Sequence, residues 1–89
     1  MTNSEKFTTS SKIILNLKKT PSTDEKLSLY KYFKQATCGD VNTTKPGVFD
    51  VTANAKWKAW RSVKGTSKED AEKLYIDTAN VLVKKYGVN

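Results

Sequence analysis

The sequence of 89 residues predicts an all-α domain built from four helices. Apolar residues recur at three- and four-residue spacing in four segments, which is the periodicity of amphipathic helices. Two patterns typical of helix N-termini, Ser22–Glu25 and Thr66–Glu69, place a hydroxyl three residues before a glutamate. Gly39 and Gly87 follow two of the periodic segments, where glycine commonly ends a helix. A chain of this length has room for one domain, so we expect residues 1–89 to form a single domain.

The first helix is expected from about Ser4 to Leu17. Its predicted packing face repeats at three- or four-residue intervals and consists of Phe7, Ser11, Ile14 and Leu17. Lys18 and Lys19 suit the negative end of the helix dipole. Pro21 disfavours a helical conformation in the residue before it, so we expect the helix to end ahead of this proline.

The second helix is expected to begin at Ser22, the first residue of a capping box, and to end at Gly39. Apolar residues follow the cap over more than one face, namely Leu27, Leu29, Tyr30, Tyr32, Phe33 and Ala36. The segment from Gly39 to Thr52 is rich in turn-forming residues, and Pro46-Gly47 favours a type II turn. A loop of this length in a small domain is commonly functional.

The third helix is expected from about Ala53 to Val63, because Ala53, Trp57 and Trp60 follow helical spacing, and Gly65 would end it. The fourth is expected to begin at Thr66–Glu69 and to end at Gly87. Its apolar stripe consists of Ala71, Leu74, Tyr75, Thr78, Leu82 and Tyr86.

The composition favours binding over catalysis. The chain has no histidine, so the commonest general base is missing, and its four glycines are too scattered for a phosphate-binding loop. Cys38 is the single cysteine, which leaves no intramolecular disulfide and no set of ligands for a zinc site. The longest apolar run, Ile13 to Leu15, is too short for a signal peptide or a membrane span. We therefore expect a non-enzymatic, metal-free, cytoplasmic protein.

The net charge of +7, from sixteen Lys and Arg against nine Asp and Glu, favours an anionic partner. Nucleic acid, an anionic membrane surface and a phosphorylated small molecule all fit this charge. Arg61 is the sole arginine, and arginine is the preferred residue for base readout, which argues against nucleic acid. No predicted helix combines a basic face with an exposed apolar face, as a membrane-surface helix would. A protein-interaction role remains open beside ligand binding.

Aromatic and basic residues alternate at helical spacing. Tyr30 and Lys34 are four residues apart, as are Lys56 and Trp60, so each pair shares a helix face. A face of rings and ammonium groups suits a phosphorylated aromatic ligand, because rings stack on a base and lysine meets phosphate. The structural alternatives are that Trp57, Trp60 and Tyr75 belong to the core and that the lysines are ordinary solvated side chains.

Several blocks of the sequence match one family at the family's spacing. The first block, Asp24 to Asn42, follows the pattern DE-x-L-x-LY-x-x-x-KQAT-x-GD-x-N. The others are Lys45-Pro46-Gly47 with Asp50, Ala55–Trp60, Lys64–Ala71, Tyr75-Ile76-Asp77 and Lys85-Tyr86-Gly87. On these blocks the chain resembles the acyl-CoA-binding protein family over nearly its whole length.

The resemblance implies a four-helix bundle of up-down-down-up topology with a bowl-shaped site for long-chain fatty acyl-CoA. It implies a carrier and pool former that delivers acyl-CoA to enzymes and needs no cofactor besides this ligand. We expect a monomer, because no exposed apolar stripe is left over once the core is assigned, with no nucleic acid partner and no stable membrane insertion. By resemblance, Tyr30 would lie near the adenine, and Lys34 and Lys56 near the ribose 3′-phosphate. Tyr75 would reach the ligand from the fourth helix. Lesser contacts are implied for Lys31 and Phe33.

Three positions depart from the family pattern. Leu15, Thr20 and Thr52 stand where the family has basic residues, so we expect fewer cationic contacts to the head group.

Overall fold

The computed structural model describes residues 3–89 and contains four α-helices. They are α1 (Asn3–Ile13), α2 (Thr23–Cys38), α3 (Val51–Arg61) and α4 (Lys68–Tyr86). A 3-10 turn over Ile14–Asn16 continues α1. Within the described residues the extended segments contribute a single antiparallel bridge, between Leu17 and Val88. The prediction of an all-α fold of four helices is confirmed. No helix between residues 3 and 89 has the length and apolarity needed to cross a membrane.

Helices α2 and α4 run antiparallel. Glu25, at the start of α2, accepts a hydrogen bond from Lys85 at the end of α4, with Nζ 2.9 Å from Oε2. Gln35, near the end of α2, donates from Nε2 to the carbonyl of Thr66, just before α4, at 2.7 Å. The start of α2 therefore lies beside the end of α4, and the end of α2 lies beside the start of α4.

The other two helix pairs run parallel. Lys56 of α3 lies over Tyr30, and Trp60, one turn further on, meets Lys34, so α2 and α3 have the same direction. The ring of Phe7 in α1 packs against that of Tyr75 in the first half of α4. The bridge of Leu17 to Val88 joins the segments that follow α1 and α4, so these two helices also have the same direction. The four directions give the up-down-down-up topology implied by the family resemblance.

The helix ends follow their capping residues. The capping box of α2 is complete, since Glu25 N donates to Ser22 Oγ at 3.2 Å and Ser22 N donates to Glu25 Oε1 at 2.8 Å. Helix α2 ends at Gly39, whose φ of 78° is in the left-handed region that favours glycine. Its amide donates to the Gln35 carbonyl at 3.0 Å. Helix α4 ends at Tyr86 with Gly87 as its C-cap, as predicted.

Helix α1 is shorter than the predicted Ser4–Leu17. It ends at Ile13, a 3-10 turn covers Ile14–Asn16, and Leu17 is extended because it forms the bridge to Val88.

Three further local predictions differ from the structure. Helix α3 covers Val51–Arg61 rather than Ala53–Val63. Asp50 caps its start by accepting from Ala53 N at 3.0 Å, and after Arg61 the bonds of Val63 N to Trp60 O and Lys64 N to Arg61 O turn the chain out of the helix. The cap of α4 is Ser67 rather than Thr66, since Ser67 Oγ accepts from Asp70 N at 3.0 Å. The hydrogen-bonded turn near Pro46 runs from Gly47 O to Asp50 N at 3.1 Å, and Gly47 does not take the positive φ of a type II turn.

Helix α4 supplies most of the buried core, and both α1 and α2 pack against it. Its buried residues are Ala71, Tyr75, Ala79 and Leu82. Phe7 of α1 joins this core, and Trp60 of α3 is also buried. Helix α3 packs on α2, away from the central helix, so the groove between these two parallel helices lies at the surface.

Candidate ligand-binding site

The centre of the candidate site is a pair of side chains that faces across the two parallel helices. Lys56 Nζ of α3 lies 5.6 Å from the ring centroid of Tyr30 in α2, within the range of a cation–π contact. Tyr30 is half-buried and Lys56 is exposed. The pair lines two surface depressions, one on each side, that differ in chemistry.

The first depression is apolar and encloses about 250 Å³. It opens between the start of α2 and the start of α3. Besides Tyr30 and Lys56, its lining consists of Thr23, Lys26, Leu27, Val51, Thr52 and Ala55. The side chains of Leu27, Val51 and Ala55 make its surface suitable for a hydrocarbon chain.

The second depression, also of about 250 Å³, is basic and aromatic. Its remaining lining is Lys34, Thr43, Pro46, Ala53, Trp57 and Trp60. Lys34 Nζ lies 4.9 Å from the ring centroid of Trp60. Within residues 3–89 neither Lys34 nor Lys56 has a carboxylate at salt-bridge distance. Both ammonium groups therefore keep donors available for an anion.

The loop between α2 and α3 forms one wall of the basic depression, and α3 holds it in place. Trp57 Nε1 donates to the Thr43 carbonyl at 3.0 Å, and Trp60 Nε1 donates to the Gly39 carbonyl at 2.9 Å. Asn54 Nδ2 donates to the Gly47 carbonyl at 2.7 Å. The indoles of Trp57 and Trp60 thus line the basic depression and also hold the loop in place.

The start of this loop, at Asp40, is held by α2 and by the connection between α3 and α4. Asp40 Oδ1 accepts from Gln35 Nε2 and from the Gly65 amide, each at 2.8 Å. The Gly65 amide, followed by Gln35, lowers the pKa of Asp40, so this carboxylate stays charged at neutral pH. Gln35 is 1% exposed and bonds the loop, α2 and the α3–α4 connection together.

Phe33 and Tyr75 lie in a separate aromatic cluster with Phe7. The ring centroids of Phe7 and Tyr75 are 5.0 Å apart, and those of Phe33 and Tyr75 are 6.0 Å apart. Tyr75 is 4% exposed, while Phe33 is 38% exposed, so Phe33 presents the larger surface to a ligand. Burial raises the pKa of Tyr75, which keeps its hydroxyl protonated.

The structure brings three of the six predicted contact residues to one place and leaves the other three outside it. Tyr30, Lys34 and Lys56 line the basic depression. Lys31 lies next to Tyr32, with Nζ 5.0 Å from its ring centroid. Phe33 and Tyr75 occupy the aromatic cluster. Assignment of ligand contacts to all six remains a prediction.

Several lining residues were not predicted from the sequence. Leu27, Val51 and Ala55 form the apolar depression, and Thr43 and Pro46 form the loop wall of the basic one. Leu27 lies three residues before Tyr30, so helical spacing offered a signal for it. For Thr43 and Pro46 the sequence indicated only a long, commonly functional loop and a family-like Lys45-Pro46-Gly47 block, because their place in the site depends on hydrogen bonds to α3.

The titratable side chains offer little for metal binding. Between residues 3 and 89, no three Asp, Glu, Cys or His side chains gather at a distance suited to a metal ion. Cys38 is exposed at the end of α2, and a hydrogen bond with the Thr37 hydroxyl lowers its pKa.

Fold and site together define a helical binding domain for an amphiphilic anion. The family model described as Acyl CoA binding protein matches residues 4–79. The chain therefore belongs to the acyl-CoA-binding protein family.

Two similar relatives carry the same description. Acyl-CoA-binding protein homolog 1 of Caenorhabditis elegans is 50% identical over 74 residues, which covers 83% of this chain and 86% of the relative. The acyl-CoA-binding protein of Saccharomyces cerevisiae is 47% identical over 83 residues, which covers 93% of this chain and 95% of the relative.

Solved structures of the family share the fold. Acyl-CoA-Binding Protein 2 of Oryza sativa aligns with a TM-score of 0.89 at 38% identity, covering 94% of this chain and 93% of that one. The ACBP of Moniliophthora perniciosa aligns with a TM-score of 0.88 at 45% identity, covering 100% and 87%.

Proposed function

We propose that this chain binds long-chain fatty acyl-CoA esters and acts as their carrier and pool former. The observation that supports this most directly is the pair of depressions that meet at Tyr30 and Lys56, one apolar and one basic. An acyl-CoA has the same two parts, a hydrocarbon chain and a phosphorylated aromatic head group. Membership of the family supports the same ligand.

The apolar depression would hold the fatty chain. Leu27, Val51 and Ala55 present the apolar surface, and burial of each methylene is worth roughly 0.8 kcal/mol. A dozen buried methylenes would give on the order of 10 kcal/mol before ordering costs, so the chain would supply most of the affinity.

The basic depression would hold the head group. Lys34 and Lys56 would bind phosphate oxygens, and Tyr30 would stack on or near the adenine. Each charge-assisted hydrogen bond is worth roughly 1.5–3 kcal/mol, which adds specificity for the ester over a free fatty acid. Phe33, with its exposed edge, is proposed as a lesser contact beside these three. Lys31 and Tyr75 complete the proposed set from the neighbouring surface and the aromatic cluster.

Sequestration is the proposed activity, without catalysis and without a further cofactor. Holding the ester in a two-part site keeps it dispersed and shields its thioester from water until an acyl-CoA-using enzyme receives it. We propose residues 1–89 as one acyl-CoA-binding domain that acts as a monomer in the cytoplasm. Sedimentation of the purified chain and fractionation of cells test the last two points.

The deciding experiment is calorimetric titration with palmitoyl-CoA, palmitate and free CoA. We expect one-to-one binding of the ester and much weaker binding of both fragments, because each fragment fills one depression only. Equal affinity for palmitate and palmitoyl-CoA would contradict a role of the basic depression, and no binding of the ester would contradict the proposed function.

A further inference from the structure

Three apolar side chains stand in solvent at the end of the α2–α3 loop. Val48 is 77% exposed, Phe49 is 96% exposed and Val51 is 78% exposed. We call residues 48–51 the loop tip. Its backbone is held by the hydrogen bond of Asp50 N to Gly47 O at 3.1 Å and by the cap of Asp50 on Ala53 N. Phenylalanine is ordinarily among the more buried residue types, so a nearly fully exposed ring on a hydrogen-bonded turn indicates a surface with a partner.

The loop tip lies in a strongly basic part of the chain. Residues 41–64 carry five basic side chains, Lys45, Lys56, Lys58, Arg61 and Lys64, and one acidic side chain, Asp50. The carboxylate of Asp50 is engaged in capping α3. Lys45 and Lys58 line a shallow depression together with Val48 and Val51. Apolar side chains and positive charges therefore share one surface.

We propose that the loop tip docks reversibly on an anionic phospholipid surface. Phe49 and Val48 would enter the boundary between head groups and acyl chains, and Lys45 and Lys58 would meet the anionic head groups. Reversible membrane attachment generally needs such a combination of buried apolar area and attraction to anionic lipid.

A lipid surface fits this patch better than a protein partner does. Specific protein interfaces bury at least about 1,000 Å² in total and contain a packed centre. The loop tip offers three exposed apolar side chains, which are too few for such a centre. A fluid lipid surface accepts a small apolar tip without shape complementarity.

The loop tip also adjoins the proposed ligand site. Val51 and Ala55 line both the shallow basic depression beside the tip and the apolar depression. Docking would therefore bring the apolar depression to the lipid surface, where acyl-CoA inserts its own chain. This consequence rests on the proposed function. The docking itself does not, since it follows from the exposed side chains and their charge.

The test is sedimentation of the full chain with phosphatidylcholine vesicles, with and without phosphatidylserine. We expect binding to the vesicles that contain phosphatidylserine and much weaker binding to the neutral ones. Phe49→Ser should lower the partition coefficient roughly tenfold or more, because the ring loses its burial in lipid. Lys45→Gln and Lys58→Gln should each lower it about fivefold, and only with phosphatidylserine present.

Matched controls lie on α4. Val81, 62% exposed, is changed to Ser, and exposed Lys84 to Gln. Both variants should bind vesicles like the unchanged chain. Docking at the loop tip is overturned if the unchanged chain does not bind phosphatidylserine vesicles, or if Phe49→Ser and Val81→Ser behave alike.

Titration of the same variants with palmitoyl-CoA separates the two proposals. Phe49 lines neither depression of the proposed ligand site, so Phe49→Ser should keep its affinity for the ester. Vesicle binding without ester binding would support the docking and contradict the carrier role. Ester binding without vesicle binding would support the carrier role and contradict the docking.

Discussion

At the scale of single residues, two tyrosines that were both predicted to contact the ligand lie in different surroundings. Tyr30 is half-buried beside Lys56 at the surface groove between α2 and α3. Tyr75 is 4% exposed and packs against the rings of Phe7 and Phe33. Burial against two rings makes packing the main contribution of Tyr75, while the exposed face of Tyr30 leaves it free to stack on a ligand.

The two lysines of the basic depression should matter for the ligand and little for the fold. We expect Lys34→Gln and Lys56→Gln each to weaken palmitoyl-CoA binding roughly tenfold to hundredfold, since each would remove one of the proposed charge-assisted contacts, worth about 1.5–3 kcal/mol. Their melting temperatures should change little, because each ammonium group rests on an aromatic ring at the edge of a surface depression and fills no part of the core. Calorimetry and thermal unfolding measure the two effects.

Lys84→Gln is the control for a change of net charge alone. Lys84 is exposed in the last turn of α4. If this variant loses as much affinity as Lys34→Gln, the effect is one of overall charge and the assignment of Lys34 to the head group is wrong.

At the scale of elements, the α2–α3 loop depends on side chains from the helices that flank it. Indole donors from α3 hold the carbonyls of Thr43 and Gly39, and the carboxamide of Gln35 holds Asp40. The loop is therefore a fixed wall of the basic depression although it has no regular structure of its own.

Trp57→Phe tests this wall, because it removes the N–H that binds the Thr43 carbonyl and keeps an aromatic ring. Loss of one hydrogen bond should lower stability by only about 0.5–1.5 kcal/mol. The backbone of residues 41–49 should become more mobile, and palmitoyl-CoA should bind more weakly. Backbone ¹⁵N relaxation checks the first effect, with α4 as internal reference. Unchanged relaxation in the loop would show that the indole bond does not hold it.

At the scale of the whole molecule, the sequence predicts what is local and misses what depends on packing. Helix α2 was placed correctly because both of its end signals, the capping box at Ser22 and the glycine at Gly39, are local in sequence and directly flank the helix. The start of α4 was one residue early, because Thr66–Glu69 and Ser67–Asp70 both fit a cap and the fold uses the second. The start of α3 was two residues late, because the cap by Asp50 was not recognised.

In the candidate site, too, the sequence predicts what depends on local spacing and misses what depends on the packing of helices. Helical spacing puts Tyr30 and Lys34 on one face, but the approach of Lys56 requires α2 and α3 to be parallel, which the family resemblance supplied and periodicity did not. The apolar depression needs Val51 and Leu27 to face each other from different helices. No spacing within one helix predicts that arrangement.

A side-chain cluster centred on Glu25 joins the start of α2 to the end of α4, and it should make the stability of the fold depend on pH. Glu25 accepts hydrogen bonds from the Tyr86 hydroxyl, from Lys85 Nζ at 2.9 Å and from Ser22 N at 2.8 Å. These bonds, chiefly that of Tyr86 and then that of Lys85, lower the pKa of Glu25 from its usual 4.5 to about 2. A carboxylate with a lowered pKa in the folded state stabilises the fold above its unfolded pKa.

We therefore expect the contribution of Glu25 to be complete above pH 4.5 and to disappear as the pH falls towards 2. Denaturant unfolding of the chain and of Glu25→Gln should show a difference in stability that is constant near neutral pH and shrinks through this interval. Asp24→Asn controls for the loss of a carboxylate in the same helical turn without the bonds to α4. A difference that persists unchanged to pH 2 would mean that Glu25 joins the helices through its shape and neutral hydrogen bonds, because protonation of its carboxylate would then weaken nothing.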